Sequence, residues 1–263
     1  MNVPLICDYG SGFSKVGYSG METPLAVFPT ILGKLRHDGL LVGLEEKDWF
    51  LGSEAQSRLG ELNLLRPICR ASITNWDHME KIWHHTFYRV LCTAPEQHPL
   101  LLTEPPSVAP SVKEKVSEIL FETFNVPALY LANQGVLSLY ASGLTWGTTI
   151  ESGEGMTHFV PITEGCPLHQ STMKMDVAGQ DITLYLMQLL SAQGSSLIGT
   201  ALSVQLRLLD HHPSSNNDPS VCTDAQLWMT AVRVTTTVMV IMVVVVVMTV
   251  VMVTIVTVVV LKQ

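Results

Sequence analysis

A chain of 263 residues with 15 basic and 23 acidic side chains, a formal net charge of −8 and 47% hydrophobic residues is long enough to close a sizeable core without disulfides or structural metal. The acidic balance excludes a surface built to follow nucleic-acid phosphates or anionic lipid. Five cysteines, Cys7, Cys69, Cys92, Cys166 and Cys222, make an odd number with no C-x-x-C pair, which excludes a disulfide framework and a zinc ribbon and fits a reducing compartment.

The N-terminus has no basic leader and only a short apolar run before Asp8, so no signal peptide is expected. Val3 to Cys7 predicts a strand that enters Asp8-Tyr9-Gly10-Ser11-Gly12, and Phe13 to Tyr18 predicts the returning strand. Two glycines around a serine leave backbone N–H groups uncovered, as close approach of a phosphate requires, and Lys15 adds a positive charge from the returning strand. Phe28 to Gly60 reads as a small insertion of short strands and turns, with an apolar stretch at Leu40 to Leu44. A helix is predicted from about Asn75 to Leu91, with Met79, Ile82, Trp83, Phe87 and Val90 at helical spacing for a core face. His78, His84 and His85 share that helix but cannot converge as three ligands, so no metal site is expected there.

Leu100 to Thr103 is an apolar run closed by Pro105-Pro106, which predicts a strand buried on both faces. Ser111 is expected to cap a helix with Val112, Val116, Ile119, Leu120 and Phe124 on one side, ending at Asn125-Val126-Pro127. Ala128 to Ala132 predicts a strand, and Gln134 to Ser142 a helix closed by Gly143. This β-α-β order implies a sheet with parallel strands and an α/β fold class, mixed sheets with flanking helices. Thr148-Thr149-Ile150 then runs into Glu151-Ser152-Gly153-Glu154-Gly155, and Met156 to Ile162 alternates as a returning strand. The first turn is thereby repeated: strand, acid, any residue, Gly, any residue, Gly, strand. One acid ahead of each turn suggests a pseudo-twofold site in which two hairpins clasp a phosphate chain while Asp8 and Glu151 hold a hydrated magnesium ion, a cation that keeps most of its waters.

All but three of the acids and three of the bases precede residue 201. Asp210 to Ser220 reads as a loop or linker, and its His211-His212 pair has no further ligand spaced to make a metal site. Val238 to Leu261 is an uncharged run of 24 residues, 14 of them Val. As a helix it would reach roughly 36 Å, at about 1.5 Å per residue, against a hydrocarbon core of about 30 Å. A membrane anchor and a translated low-complexity stretch are both open readings of it.

Asp8 to Gly17, Thr74-Asn75-Trp76-Asp77 with Met79 to Tyr88, and Val136 to Gly143 resemble the most recognisable stretches of actin, and the resemblance runs from about Cys7 to Thr200 in the manner of divergent actin-like and actin-related proteins. It implies an incomplete actin-like (ribonuclease H-like) ATPase fold. On that basis residues 1–29 and 67–141 form an incomplete first subdomain, and 30–66 the inserted small one. Residues 142–177 begin the third subdomain and 178–200 the fourth, with 201–237 an unrelated linker and 238–261 the Val-rich tail. It also implies ATP and Mg as cofactors. Asp8, Gly10, Ser11, Gly12 and Lys15 then form the first phosphate loop, and Ser152, Gly153, Glu154 and Gly155 the second. Gln134 is the residue that positions the attacking water, and His158 stands beside it. By the same resemblance the tip near Arg36 to Lys47 is expected to contact a neighbouring subunit, with actin or actin-binding proteins as partners and a cytoplasmic location on the cytoskeleton. The sequence departs from the family in carrying Glu151 and Glu154 for aspartates and Arg70 for a histidine. Together with the unrelated segment after Thr200 and the loss of the adenine-binding half, this implies impaired hydrolysis and polymerisation. A truncated, non-catalytic interaction protein is the alternative.

Overall fold

A computed structural model describes residues 2–35 and 49–192. The apolar tip at Leu40 to Leu44, the histidine pair 211–212 and the tail 238–261 lie outside the described residues. The chain divides into two compact units, Met1–Gln180 and Asp181–Gln263.

In the first unit, β1 (Leu5–Tyr9) and β2 (Phe13–Tyr18) pair antiparallel, with Asp8 opposite Lys15, and β3 (Ala26–Pro29) pairs with β2. The first strand therefore starts two residues later than expected and carries Asp8 within it. The insertion follows: β4 (Leu32–Leu35), β5 (Phe50–Leu51), α1 (Gly52–Ser57) and β6 (Leu62–Leu65), with strands in the order β5-β4-β6 around buried Leu32, Phe50, Ala55 and Leu62. The short helix α1 is not anticipated by a sequence that reads there as turns. Two short strands, β7 (Ile68–Cys69) and β8 (Ser72–Ile73), then form a hairpin whose turn residues Arg70 and Ala71 have φ of 46° and 58°. Both lie in the left-handed region that a two-residue hairpin turn of this kind demands, at roughly 1–2 kcal/mol each for non-glycine residues.

Helix α2 (Trp76–His85) begins where Asn75 Oδ1 accepts from the His78 N–H at 2.9 Å, and Asp77 at the start and His84 and His85 at the end complement the helix dipole. The predicted single helix is broken: Thr86–Val90 forms a π-helical turn, in which the Leu91 N–H reaches the Thr86 carbonyl and Thr86 Oγ1 donates to the Ile82 carbonyl. The extra residue buries Phe87 and leaves Val90 only half-buried. The three histidines contact aromatic rings, His78 and His84 tilted against Trp49 and Tyr88 and His85 edge-on to Phe28, and among the described residues no cluster of potential metal ligands exists.

β9 (Leu100–Glu104) lies parallel to β1, and β10 (Leu129–Asn133) parallel to β9, so the sheet runs β10-β9-β1-β2-β3. β9 alternates, with Leu100 and Leu102 buried and Leu101 half-exposed, so it is not buried on both faces. Between them α3 (Pro110–Glu122) starts on Pro110 at its first position rather than on a Ser111 cap, the missing N–H of proline costing nothing there. Asn125 at φ 52° turns the chain after it. The core lies between this sheet and the helices: Leu5, Cys7 and Val16 meet Met79, Ile82, Trp83 and Phe87 of α2 and its π turn and Val116, Ile119 and Leu120 of α3. Phe124 receives Trp83 and Phe87 edge-on, at 6.4 and 5.3 Å between ring centroids.

α4 (Gln134–Ala141) is capped by Asn133, and Gly143 at φ 72° closes it, the N–H groups of Gly143 and Leu144 returning to the carbonyls of Tyr140 and Leu139. A second sheet follows: β11 (Gly147–Ser152) and β12 (Thr157–Thr163) pair antiparallel, and β12 also pairs with β13 (Cys166–Pro167) and β14 (Met173–Met175). Leu139 and Val136 of α4 pack on Val160 and Ile162. The last described element, α5, spans Gly179–Ala192. No described helix is long and apolar enough to cross a membrane.

Trp83 is 1% exposed, and its indole N–H meets no acceptor among the described residues. Trp83→Ala should therefore cost about 3–5 kcal/mol of unfolding free energy. Trp83→Phe should cost far less, because it also removes an unsatisfied donor. Urea unfolding of both variants measures the difference, and equal losses would contradict it.

Candidate functional site

The repeated turn pattern folds into two hairpins closed by the same hydrogen bond. Gly10 donates to the Phe13 carbonyl at 3.0 Å, and Gly153 to the Met156 carbonyl at 3.1 Å. Across each hairpin the acid faces a basic residue, Asp8 opposite Lys15 and Glu151 opposite His158.

The two turns touch. A Cβ on Gly12 would stand 3.0 Å from Glu154 Cβ, and one on Gly155 would stand 2.8 Å from Ser11 Oγ and 3.0 Å from Arg70 Cα. Glycine is needed at these two positions for mutual approach rather than for a special φ. Ser11 Oγ also accepts from the Ala71 N–H at 3.1 Å, and Arg70 Nη1 donates to the Asp176 carbonyl at 2.5 Å, so the strained hairpin turn is tied to both sides. Gly179 and Gln180 donate to the carbonyls of Gly153 and Glu154, each at 2.9 Å, anchoring the second turn to the start of α5. Among the described residues the N–H groups of Ser11, Gly12, Glu154 and Gly155 have no acceptor.

A cleft of about 1000 Å³ opens beside the turns, and Asp8, Gly10, Ser11, Gly12, Lys15, Gln134, Glu151, Ser152, Gly153, Glu154, Gly155 and His158 all line it. Every residue singled out in the sequence for the site therefore comes together. Asp8 Oδ2 accepts from Lys15 Nζ at 2.7 Å; Oδ1 accepts from Thr103 Oγ1 at 2.6 Å and Gln134 Nε2 at 3.0 Å. Burial acts to raise the Asp8 carboxyl, but the hydrogen bonds from Lys15, Thr103 and Gln134 and the Lys15 charge outweigh it and hold the group below its ordinary value. Glu151 accepts from Ser138 Oγ, and Glu154 pairs with Arg66 at 3.8 Å. His158 is buried, and that burial, with the charge of Lys174 across the sheet, holds its imidazole below the ordinary 6.5 and so neutral at pH 7.

Two participants, Thr103 and Ser138, were not picked out in the sequence, and Arg70 was singled out only as a departure from the family and not as a turn residue. Thr103 reads only as a strand residue, Ser138 only as a helix residue, and the Arg70-Ala71 turn lacks the Asn-Gly signature of its type. Asp8 and Glu151, each retaining acceptor capacity, fit a cation bound through its own waters. No three-carboxylate or His/Cys cage exists among the described residues for a dehydrated one.

Gly155→Ala should lower the unfolding temperature and disrupt the cleft, because Ser11 and the Arg70 backbone must both move. Gly153→Ala should be tolerated, its nearest contact being 3.7 Å. Thermal unfolding of the two variants decides this. A second outcome follows from His158. The unfolded chain takes up its proton near 6.5 and the folded one only at lower pH, so stability falls as pH drops from above 6.5 towards the folded value. His158→Gln should flatten that fall, measured as urea midpoints between about pH 7.5 and 5.

A model of the family described as Actin matches residues 2–231 of the chain. The match reaches past Thr200, where the resemblance is expected to end, and stops before Val238. Among curated relatives, Centractin of Schizosaccharomyces pombe (strain 972) is 44% identical over 201 residues, covering 76% of this chain and 53% of the relative. The chain thus spans about half the length of the curated relative it matches. With a family match over most of its length and the mixed α/β architecture of paired glycine hairpins, this chain belongs to the actin family, as a divergent, actin-like member.

Proposed function

We propose that this chain is an actin-like cytoskeletal protein that grips the phosphates of Mg-ATP between its two hairpins, with impaired hydrolysis and polymerisation. The observation that carries the reading is the doubled turn. Two hairpins of one spacing meet at Gly12 and Gly155 beside a cleft lined by Asp8, Lys15, Gln134, Glu151 and His158. The open N–H groups of Ser11, Gly12, Glu154 and Gly155 would donate to phosphate oxygens, and Lys15 would add charge. Magnesium, when bound, neutralises phosphate charge, and Asp8 and Glu151 are the residues that would hold its waters. Gln134 would orient a water, and neutral His158 can accept or donate a hydrogen bond to it.

Impaired turnover is supported by the two longer acids. Glu151 is engaged by Ser138 and Glu154 by Arg66, so each carboxylate is partly committed to a protein partner. The expected setting is the cytoplasm, at the cytoskeleton, with actin or actin-binding proteins as partners. A second reading, an interaction protein without nucleotide turnover, is favoured by exposed apolar side chains around β11: Trp146 is 73% exposed, Leu144 54% and Ile150 46%. In that reading the Val-rich run, outside the described residues, would add a membrane anchor.

A fluorescent ATP analogue should bind with micromolar affinity only when magnesium is present, and ATP turnover should stay at background. Lys15→Ala should weaken binding by about 10- to 100-fold, the loss of one charge-assisted hydrogen bond. Gln134→Ala should leave affinity within a few-fold. Failure of the unmodified chain to bind the analogue would sink the nucleotide reading in favour of the interaction protein.

A further inference from the structure

Asp8, Thr103 and Gln134 stand side by side because three adjacent parallel strands end together. The sheet order β10-β9-β1 puts Thr103 on the central strand, its register setting Ala132 beside Thr103 and Cys7 beside Leu102, and Gln134 begins α4 directly after β10. The C-terminal edge of parallel strands is where open α/β sheets present polar groups to ligands.

The hydrogen bonds among the three have only one consistent direction. Ionised Asp8 offers lone pairs alone, so the 2.6 Å contact uses the single proton of Thr103 Oγ1. With that proton committed, Thr103 Oγ1 can only accept from Gln134, whose Nε2 lies 3.3 Å away. The same Nε2 donates to Asp8 Oδ1 at 3.0 Å. A glutamine amide is nearly symmetric in shape, and its orientation is settled by its partners. Here both partners are acceptors, so the nitrogen must face them and the carbonyl oxygen is left for the cleft that Gln134 lines.

We infer that Thr103 is a positioning residue whose hydroxyl relays the orientation of Asp8 to Gln134, so that Gln134 presents a hydrogen-bond acceptor, its Oε1, to the cleft. The inference deepens the nucleotide reading and rests on it for its purpose. An acceptor held there would take one proton of a water and leave that water's lone pair towards the phosphate, whereas a flipped amide would engage the lone pair itself. Without the hydroxyl, Asp8 Oδ1 loses one of two donors and Gln134 one of two acceptors, so the amide is held by one hydrogen bond instead of two. Valine keeps the branched shape and strand preference of threonine and removes only the hydroxyl, and serine keeps the hydroxyl.

The test uses the full chain without nucleotide. NMR of the Gln134 side-chain amide, assigned by its loss in Gln134→Ala, should show a rigid, hydrogen-bonded NH₂ in the unmodified protein. In Thr103→Val those signals should shift and broaden towards a mobile side chain, and in Thr103→Ser they should return. An unchanged Gln134 amide in Thr103→Val would overturn the relay, as would failure of Thr103→Ser to restore it, which would mark the effect as packing. Absence of analogue binding by the unmodified chain would sink the nucleotide reading alone, and the amide signals would still decide the relay.

Discussion

The contact between the two glycine turns is the constraint on which the rest of the described site depends. An added Cβ would crowd Glu154 Cβ at Gly12, and Ser11 Oγ and the Arg70 backbone at Gly155, so the two hairpins approach as closely as they do only because both positions are glycine. Everything that faces the cleft is then placed by strand register. Lys15 follows from Asp8 across the first hairpin, and His158 from Glu151 across the second. Thr103 follows from the parallel pairing of β9 with β1. A site built on strand ends and a helix start is more narrowly defined than one built on loops.

Backbone strain is spent at the same place. Arg70 and Ala71 adopt left-handed conformations that cost roughly 1–2 kcal/mol each, and both are held there by contacts to the two halves of the site. Ala71 donates to Ser11, and Arg70 donates to the Asp176 carbonyl. One net hydrogen bond contributes about 0.5–1.5 kcal/mol, and one from a charged group about 1.5–3. The two bonds together therefore match the strain within a few kcal/mol. The balance is close enough that loss of the Ser11 contact would be felt at the Arg70-Ala71 turn.

Much of this was legible in the sequence, for a physical reason. The hairpins announce themselves because acid, glycine and glycine recur at fixed spacing, and a glycine has few other uses between two strands. Residues whose roles depend on register were not legible. Thr103 is a good strand former whatever its hydroxyl does, and Ser138 is one of several polar residues on a short helix. The π turn at Thr86–Val90 shares its apolar spacing with a continuous helix, so only the observed hydrogen bonds separate the two. At α3 two start signals, Pro110 and Ser111, sit side by side. The fixed φ of proline took the first helical position and left the serine inside. The α1 segment Gly-Ser-Glu-Ala-Gln-Ser reads as turn material, and its helix is settled by burial of Ala55 and the packing of Gly52 against Phe28.

The electrostatics of the cleft bear on the order in which its ligands would arrive. Asp8 is held ionised, and Lys15, the cation nearest to it, is already paired with it at 2.7 Å. His158 is neutral at pH 7 and lends no charge. A bare phosphate chain entering beside the carboxylates of Asp8 and Glu151 would meet like charge, and two such charges 4 Å apart repel by about 4 kcal/mol at an effective dielectric of about 20. The open N–H groups of the two turns, at about 0.5–1.5 kcal/mol each, would offset that repulsion, and a bound divalent cation would remove its source. On the proposed reading the hairpins would therefore hold phosphate that carries a divalent cation better than free phosphate. The two acids would then favour the metal-bound form as well as hold its waters.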